Sequence, residues 1–311
     1  MPRDLARFRA AEQRIWDAVG VAPVERFVDL PTGEKLRVQE SGTGAPILFV
    51  HGASNAGTSW APLIAGLPGY RCLALDRPGC GLSEPMRAGP ALRDVDTFTA
   101  FASRLIPDVL DALDLAAAHV VATSFGGYFT FRAAAAQPER FDRLVEMSWP
   151  VGAPMAKTPF ALRLAALPGV GAAMARIPPT RGAVRALLRQ IGLAHALDSG
   201  RFTDDMLEWF HALLRDTDSM RNELRSTPPL FTPWHGQNAR TLLTAETCAR
   251  VTRPVQFVWG ADDPNGGEAI GRGFAATFPD ATFELLPGAG HAPWIDEPGH
   301  CAALTRAFLT P

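Results

Sequence analysis

Apolar side chains along this chain follow two periods. Short runs rich in β-branched and aliphatic residues recur at "VERFVDL" (24–30), "KLRVQE" (35–40), "PILFV" (46–50), "YRCLALD" (70–76), "HVVATS" (119–124), "RLVEMSW" (143–149), "PVQFVWG" (254–260) and "TFELLP" (282–287). Runs of this length, broken by Gly, Pro and Asp, read as strands. The first two flank "PTG" and predict a hairpin. From "PILFV" onward the runs are almost continuously apolar, and most are separated by helical patterns such as "VDTFTAFASRLIPDVLDALD" (95–114). Strands buried on both faces and connected through helices predict an α/β fold: a mostly parallel eight-stranded sheet flanked by helices.

The rhythm breaks between the sixth and seventh runs. Residues 150–245 carry "FALRLAAL", "GAVRALLRQIG" and "DDMLEWFHALLRDTDSMRNELRS", punctuated by Pro179, Pro228, Pro229 and Pro233, with no convincing strand. An all-helical insertion here predicts a lid over a core built from 1–149 and 246–311. Within residues 1–20, Leu5, Phe8, Ile15 and Val19 predict an amphipathic helix packed on the body.

Charge narrows the class. With 30 basic and 32 acidic residues the net charge is −2, which gives no electrostatic ground for a nucleic-acid or anionic-membrane partner. No stretch approaches the ~18 apolar residues of a membrane span, and the first twenty residues lack the apolar core of a secretory signal. Cys72, Cys80, Cys248 and Cys301 form no C-x-x-C pair and are expected as buried free thiols in a reducing compartment. A cytoplasmic protein is therefore expected, and the oligomeric state is left open.

The candidate chemistry centres on "VVATSFGGYFTF" (120–131). A parallel strand that turns abruptly into a helix projects the corner residue out of the sheet and crowds the residues two before and two after it. Ala122 and Gly126 are small at those places, Gly127 lets the helix pack closely, and the helix N-terminus aims N–H groups at the corner. That is the pattern of a nucleophile elbow with Ser124 at its tip, Ala122 standing where Gly is usual. A serine nucleophile needs a base and the base needs an orienting acid. His291 follows the eighth run in "PGAGHAPW", and Asp262 and Asp263 follow the seventh in "WGADDPNG". Asp263 is favoured as the acid and Asp262 as a loop-capping residue. Gly52 in "FVHGASNAG" permits a close backbone approach, so the N–H groups of Ala53 and Phe125 are the expected oxyanion donors. His51 is expected to be structural.

Taken together, "HGASNAGTSW", "LDRPGCGLSEP", "ATSFGG", "WGADDPN" and "GAGHAPW" occur in an order that resembles the α/β-hydrolase fold family, in its serine-nucleophile, lid-containing form. The resemblance covers nearly everything after residue 24. It implies Ser124, Asp263 and His291 as the triad, with Asp76 and Arg77 holding a loop, and no cofactor or metal. Relatives with an aspartate nucleophile are set aside by Ser124. The expected substrate is a small hydrophobic carboxylic ester. Other reactions on the same triad (carbon–carbon, lactone or amide hydrolysis, perhydrolysis or a lyase reaction) and a non-catalytic small-molecule receptor are the alternatives. Ser54 and Trp60, together with Phe160, Trp209, Phe210 and Trp234 of the insertion, are the expected pocket residues.

Overall fold

The computed structural model describes residues 4–87, 94–167, 169–226 and 229–310; Pro228 lies outside them. Its main sheet has eight strands: β1 (Val24–Asp29), β2 (Lys35–Ser41), β3 (Ala45–Val50), β4 (Tyr70–Leu75), β5 (Ala118–Ala122), β6 (Phe141–Met147), β9 (Val255–Gly260) and β10 (Ala281–Leu286). They lie in the order β1-β2-β4-β3-β5-β6-β9-β10. The β1–β2 hairpin pairs antiparallel to β4, and every pair from β4 to β10 is parallel. β3 shows why its run is continuously apolar. Ile47 and Phe49 pack on one face, against Trp60 and Val121, while Leu48 and Val50 pack on the other, with Phe98 and Leu105. The parallel direction also brings the loops after β3, β5, β6, β9 and β10 to one edge of the sheet, where ligands bind in open α/β folds.

The chain between β6 and β9 is mostly helical, with helices that include Phe160–Ala165, Arg181–Leu188, Asp204–Asp216 and Ser219–Ser226. Two features depart from expectation. The insertion is not all-helical, because Phe231–Thr232 (β7) and Gly236–Gln237 (β8) form an antiparallel ladder too short to leave a period-2 signature. The pattern over 204–226 is also two helices, broken at Thr217. There the hydroxyl donates to the Leu213 carbonyl (2.6 Å) and accepts from the Ser219 N–H (3.1 Å), a local alternative to the helix ladder.

At the N-terminus the helix Leu5–Ala18 buries Phe8, Ala11, Glu12, Ile15 and Trp16, whereas Leu5 is exposed on its first turn. It clasps both parts of the molecule. Arg7 binds Glu208 (2.8 Å) and Arg14 binds Asp205 (2.8 Å) on the insertion, while Glu12 pairs with Arg37 of β2 and accepts from Thr58 (2.7 Å). Among the described residues no helix is long and apolar enough to cross a membrane. All four cysteines are free and buried.

Candidate active site

β5 ends at Ala122, and Thr123 and Ser124 make the turn into the helix Phe125–Ala136. Ser124 has φ +54° and ψ −117°, a conformation a non-glycine residue holds only where its surroundings over-determine it. Those surroundings are specific. A Cβ on Gly126 would overlap the Val50 carbonyl at the end of β3, and one on Gly127 would overlap the Glu146 carboxyl. Neither position has room for a side chain, so the helix starts hard against the sheet. The Ser124 N–H donates to Glu146 Oε1 (3.1 Å) and its carbonyl accepts from Val151 N (2.9 Å).

His291 sits in the loop after β10. Its Nδ1 faces Asp263 Oδ2 at 2.7 Å, leaving Nε2 as the nitrogen available for proton transfer. Asp263 is buried at the end of β9. Its Oδ2 also accepts from Trp149 N (3.1 Å), and its Oδ1 accepts from the backbone N–H (2.9 Å) and side-chain amide (3.1 Å) of Asn265. Burial alone would raise its pKa; the facing His291 and these donors outweigh that and hold the carboxyl below the usual carboxylate range. Asp262 is exposed, and its backbone N–H donates to Ala289.

Backbone contacts set the histidine loop. Ser148, itself at φ +69°, donates its hydroxyl to Gly290 O and accepts from Gly260 N, both at 3.1 Å, tying three strand ends together. From the insertion, Gly192 at φ +99° accepts from His291 N (3.3 Å). A Cβ on Gly290 would overlap the Gly192 carbonyl, so the two chains meet through glycine on both sides.

Ser124 and His291 open onto one cavity of about 290 Å³ that also touches Ala53 and Phe125. The walls are mainly apolar, with Trp149, Met206, Trp209, Phe210, Phe231 and Trp294 among them, and Ile15 arrives from the N-terminal helix. Glu223 and His291 are the only titratable side chains among the described residues of the lining, and no Lys or Arg is present there. Of the six expected pocket residues, Trp209 and Phe210 line this cavity and four do not. Phe160 and Trp234 point outward at 75% and 77% exposure. Trp60 is wholly buried behind the wall, stacked on Trp294 at 4.3 Å. Ser54 turns away at φ +50°, its N–H donating to Glu223 (3.0 Å).

The neighbouring loops are held by groups that do not reach the cavity. His51 is fully buried, contacts Gly52 O through Nδ1 (2.7 Å) and accepts at Nε2 from Arg77 N (3.0 Å); burial, reinforced by Arg77, pushes its pKa well down and keeps it neutral. Asp76 accepts from Gly57 N (2.7 Å) and Leu82 N (3.0 Å). Sequence reasoning missed Glu146, Ser148, Gly192, Glu223 and Asn265, and it placed Ile15 on a packing helix without assigning it to the cavity. Only Glu146 leaves a signal, a charge inside the apolar run "RLVEMSW".

A family profile described as alpha/beta hydrolase fold matches residues 45–298. The chain is similar to a 2-hydroxy-6-oxononadienedioate/2-hydroxy-6-oxononatrienedioate hydrolase of Cupriavidus pinatubonensis, at 26% identity over 94% of this chain and 96% of that protein. Similar solved structures include a carboxylesterase from Bacillus subtilis (20% identity, TM-score 0.77, 98% of both chains). Another is the 2-hydroxy-6-oxo-6-phenylhexa-2,4-dienoate hydrolase of Rhodococcus sp. strain RHA1 (19% identity, TM-score 0.76, 94% of this chain and all of that one).

Proposed function

The chain belongs to the α/β-hydrolase fold family, and from that premise we propose that it hydrolyses a neutral, hydrophobic small-molecule carboxylic ester through an acyl-enzyme. Ser124 Oγ attacks the ester carbonyl carbon while His291 Nε2 takes its proton. Asp263 fixes the ring with Nδ1 protonated and stabilises the imidazolium. The tetrahedral oxyanion is received by the N–H groups of Ala53 and Phe125, donors worth roughly 10²–10³ in rate each. His291 then protonates the departing alkoxide, and a water activated by the same ring releases the acid. In this reading residues 150–245 act as the lid, supplying Trp209 and Phe210 to the substrate.

The observation that carries the ester reading is the lining: an apolar cavity at Ser124 with no Lys or Arg among its described residues. A second reading, carbon–carbon hydrolysis, is favoured by the similarity to dienedioate hydrolases. Their named substrate bears two carboxylates, and burying an unpaired carboxylate is costly. Here such a group would meet mainly apolar walls, a few neutral polar side chains such as Asn55 and Gln190, and Glu223, with no Lys or Arg among the described residues to pair it. The test is turnover of p-nitrophenyl esters of rising chain length beside Ser124→Ala, with a fluorophosphonate adduct followed by intact mass. Ester turnover and an adduct, both lost in Ser124→Ala, support the reading. An adduct without ester turnover, with cleavage of a dienoate substrate, would replace it by the second.

A further inference from the structure

Glu223 is the one carboxyl side chain among the described residues lining the cavity, and it comes from the insertion while its partners belong to the core. It is 6% exposed. Its Oε2 accepts from Arg77 Nη2 (2.8 Å) and from the Ser54 N–H (3.0 Å), with the Cys80 thiol beside it at 3.4 Å. Ser54 directly follows Ala53, so this carboxylate stands next to the backbone that receives the oxyanion in the reading above. Arg77 is on the far side. Its guanidinium donates to the carbonyls of His51 and Gly52 (both 2.8 Å) and lies over the Phe125 ring at 4.7 Å. The helix bearing Glu223 is held to the loop after β4 at two further points: Ser219 Oγ accepts from Gly81 N (2.9 Å) and Asn222 donates to Gly79 O (2.9 Å). The ion pair is thereby oriented, negative end toward the cavity and positive end in the core.

We propose that Glu223 is a specificity-determining residue that makes the cavity reject substrates carrying a negative charge near the scissile bond and accept neutral or cationic ones. The proposal rests on the assignment of Ser124 as nucleophile and adds the charge class of the substrate. An apolar wall alone would penalise either sign of charge, because both lose water. A fixed carboxylate separates them. At the effective dielectric typical of pairs near a protein surface, a bare like charge several ångströms away is worth on the order of 100-fold in rate, and Arg77 directly behind the carboxylate cancels more than half of that free energy, leaving roughly tenfold.

The test uses three alkyl fluorophosphonates of equal length ending in methyl, carboxylate or ammonium. Ser124 Oγ–P forms as P–F breaks, fluoride leaving and the serine proton passing to His291, and the adduct rate is read by intact mass. Wild type is expected to label with the methyl and ammonium probes at rates within about threefold of each other, and with the carboxylate probe roughly tenfold more slowly. In Glu223→Gln the carboxylate probe gains at least about tenfold on the methyl probe, since Arg77 is then uncompensated; Glu223→Asp keeps the wild-type order. Equal slowing of the ammonium and carboxylate probes in wild type overturns the proposal even if the Gln variant does not fold. So does a folded Gln variant with unchanged ratios. Labelling reads the cavity without ester turnover, so labelling in the predicted order with no ester hydrolysis would reject the ester reading alone.

Discussion

Replacing Asp263 with Asn separates an orienting acid from a merely buried one. Four donor contacts converge on its carboxylate: Asn265 N and Nδ2 on Oδ1, and Trp149 N and the His291 ring on Oδ2. An amide offers one oxygen to this ring of donors. With that oxygen toward Asn265, the new NH₂ group faces Trp149 N–H and forces His291 Nδ1 to accept, which moves the ring proton to Nε2 and removes the base. With the amide reversed the tautomer survives, but the charge that stabilises the imidazolium is gone and the Asn265 N–H meets a donor. Either way kcat is expected to fall on the order of 10⁴, as for the same change in a serine-protease triad, about 5.5 kcal/mol of barrier. One backbone donor left without an acceptor costs a further ~1–3 kcal/mol of stability. Asp262→Asn is the control, an exposed change expected within about 0.5 kcal/mol of wild type and with unchanged kcat. The assay is kcat on p-nitrophenyl butyrate, with thermal unfolding of each variant alongside. A folded Asp263→Asn enzyme within tenfold of wild type would refute the reasoning, and a larger loss in Asp262→Asn would shift the acid by one residue.

Three further outcomes are expected. Gly192→Ala places a methyl 2.7 Å from Pro264 Cδ and 2.9 Å from His291 N at a φ of +99°; it should lower stability by about 1–3 kcal/mol and kcat at least about tenfold through the displaced histidine, and a wild-type kcat would show that the contact is passive. Ile15→Ala enlarges the cavity, so the optimum in kcat/KM across an ester series should move to acyl chains about one or two carbons longer; an unmoved optimum would place the acyl group elsewhere. Glu146 is fully buried, and burial pushes its pKa well above the ordinary 4.5. The folded state therefore binds its proton more tightly than the unfolded one, and the stability linked to it declines as pH rises from about 4.5 through the raised value. Glu146→Gln retains an oxygen for Ser124 N and should flatten that decline in Tm measured from pH 5 to 9; an equal decline in both proteins would assign it to other groups.

Placement of Ser124, Asp263 and His291 is legible in the sequence because each follows an apolar run, and a run that must be a buried parallel strand delivers its last residues to the ligand edge. Gly126 and Gly127 are legible for the same local reason. The cavity walls are not. Phe160 and Trp234 have the size of pocket residues but point outward, since residue type states a preference for burial and not a direction. Glu223 lies in "SMRNELRS", indistinguishable from a solvated helix face until the break at Thr217 turns it onto Arg77. Ile15 and Gly192 act across long separations that no local period encodes.

The N-terminal helix has a consequence for how the protein folds. Its Arg7 and Arg14 meet partners 201 and 191 positions further along, so the helix gains its cover only when that distant part of the chain has come into place. Contacts of such separation carry a loop-closure entropy that must be met before they contribute. Until then Phe8, Ile15 and Trp16 lack their cover, and the cavity is missing a wall. Closure of the cavity wall at Ile15 therefore depends on a docking event across distant parts of the chain rather than on local folding.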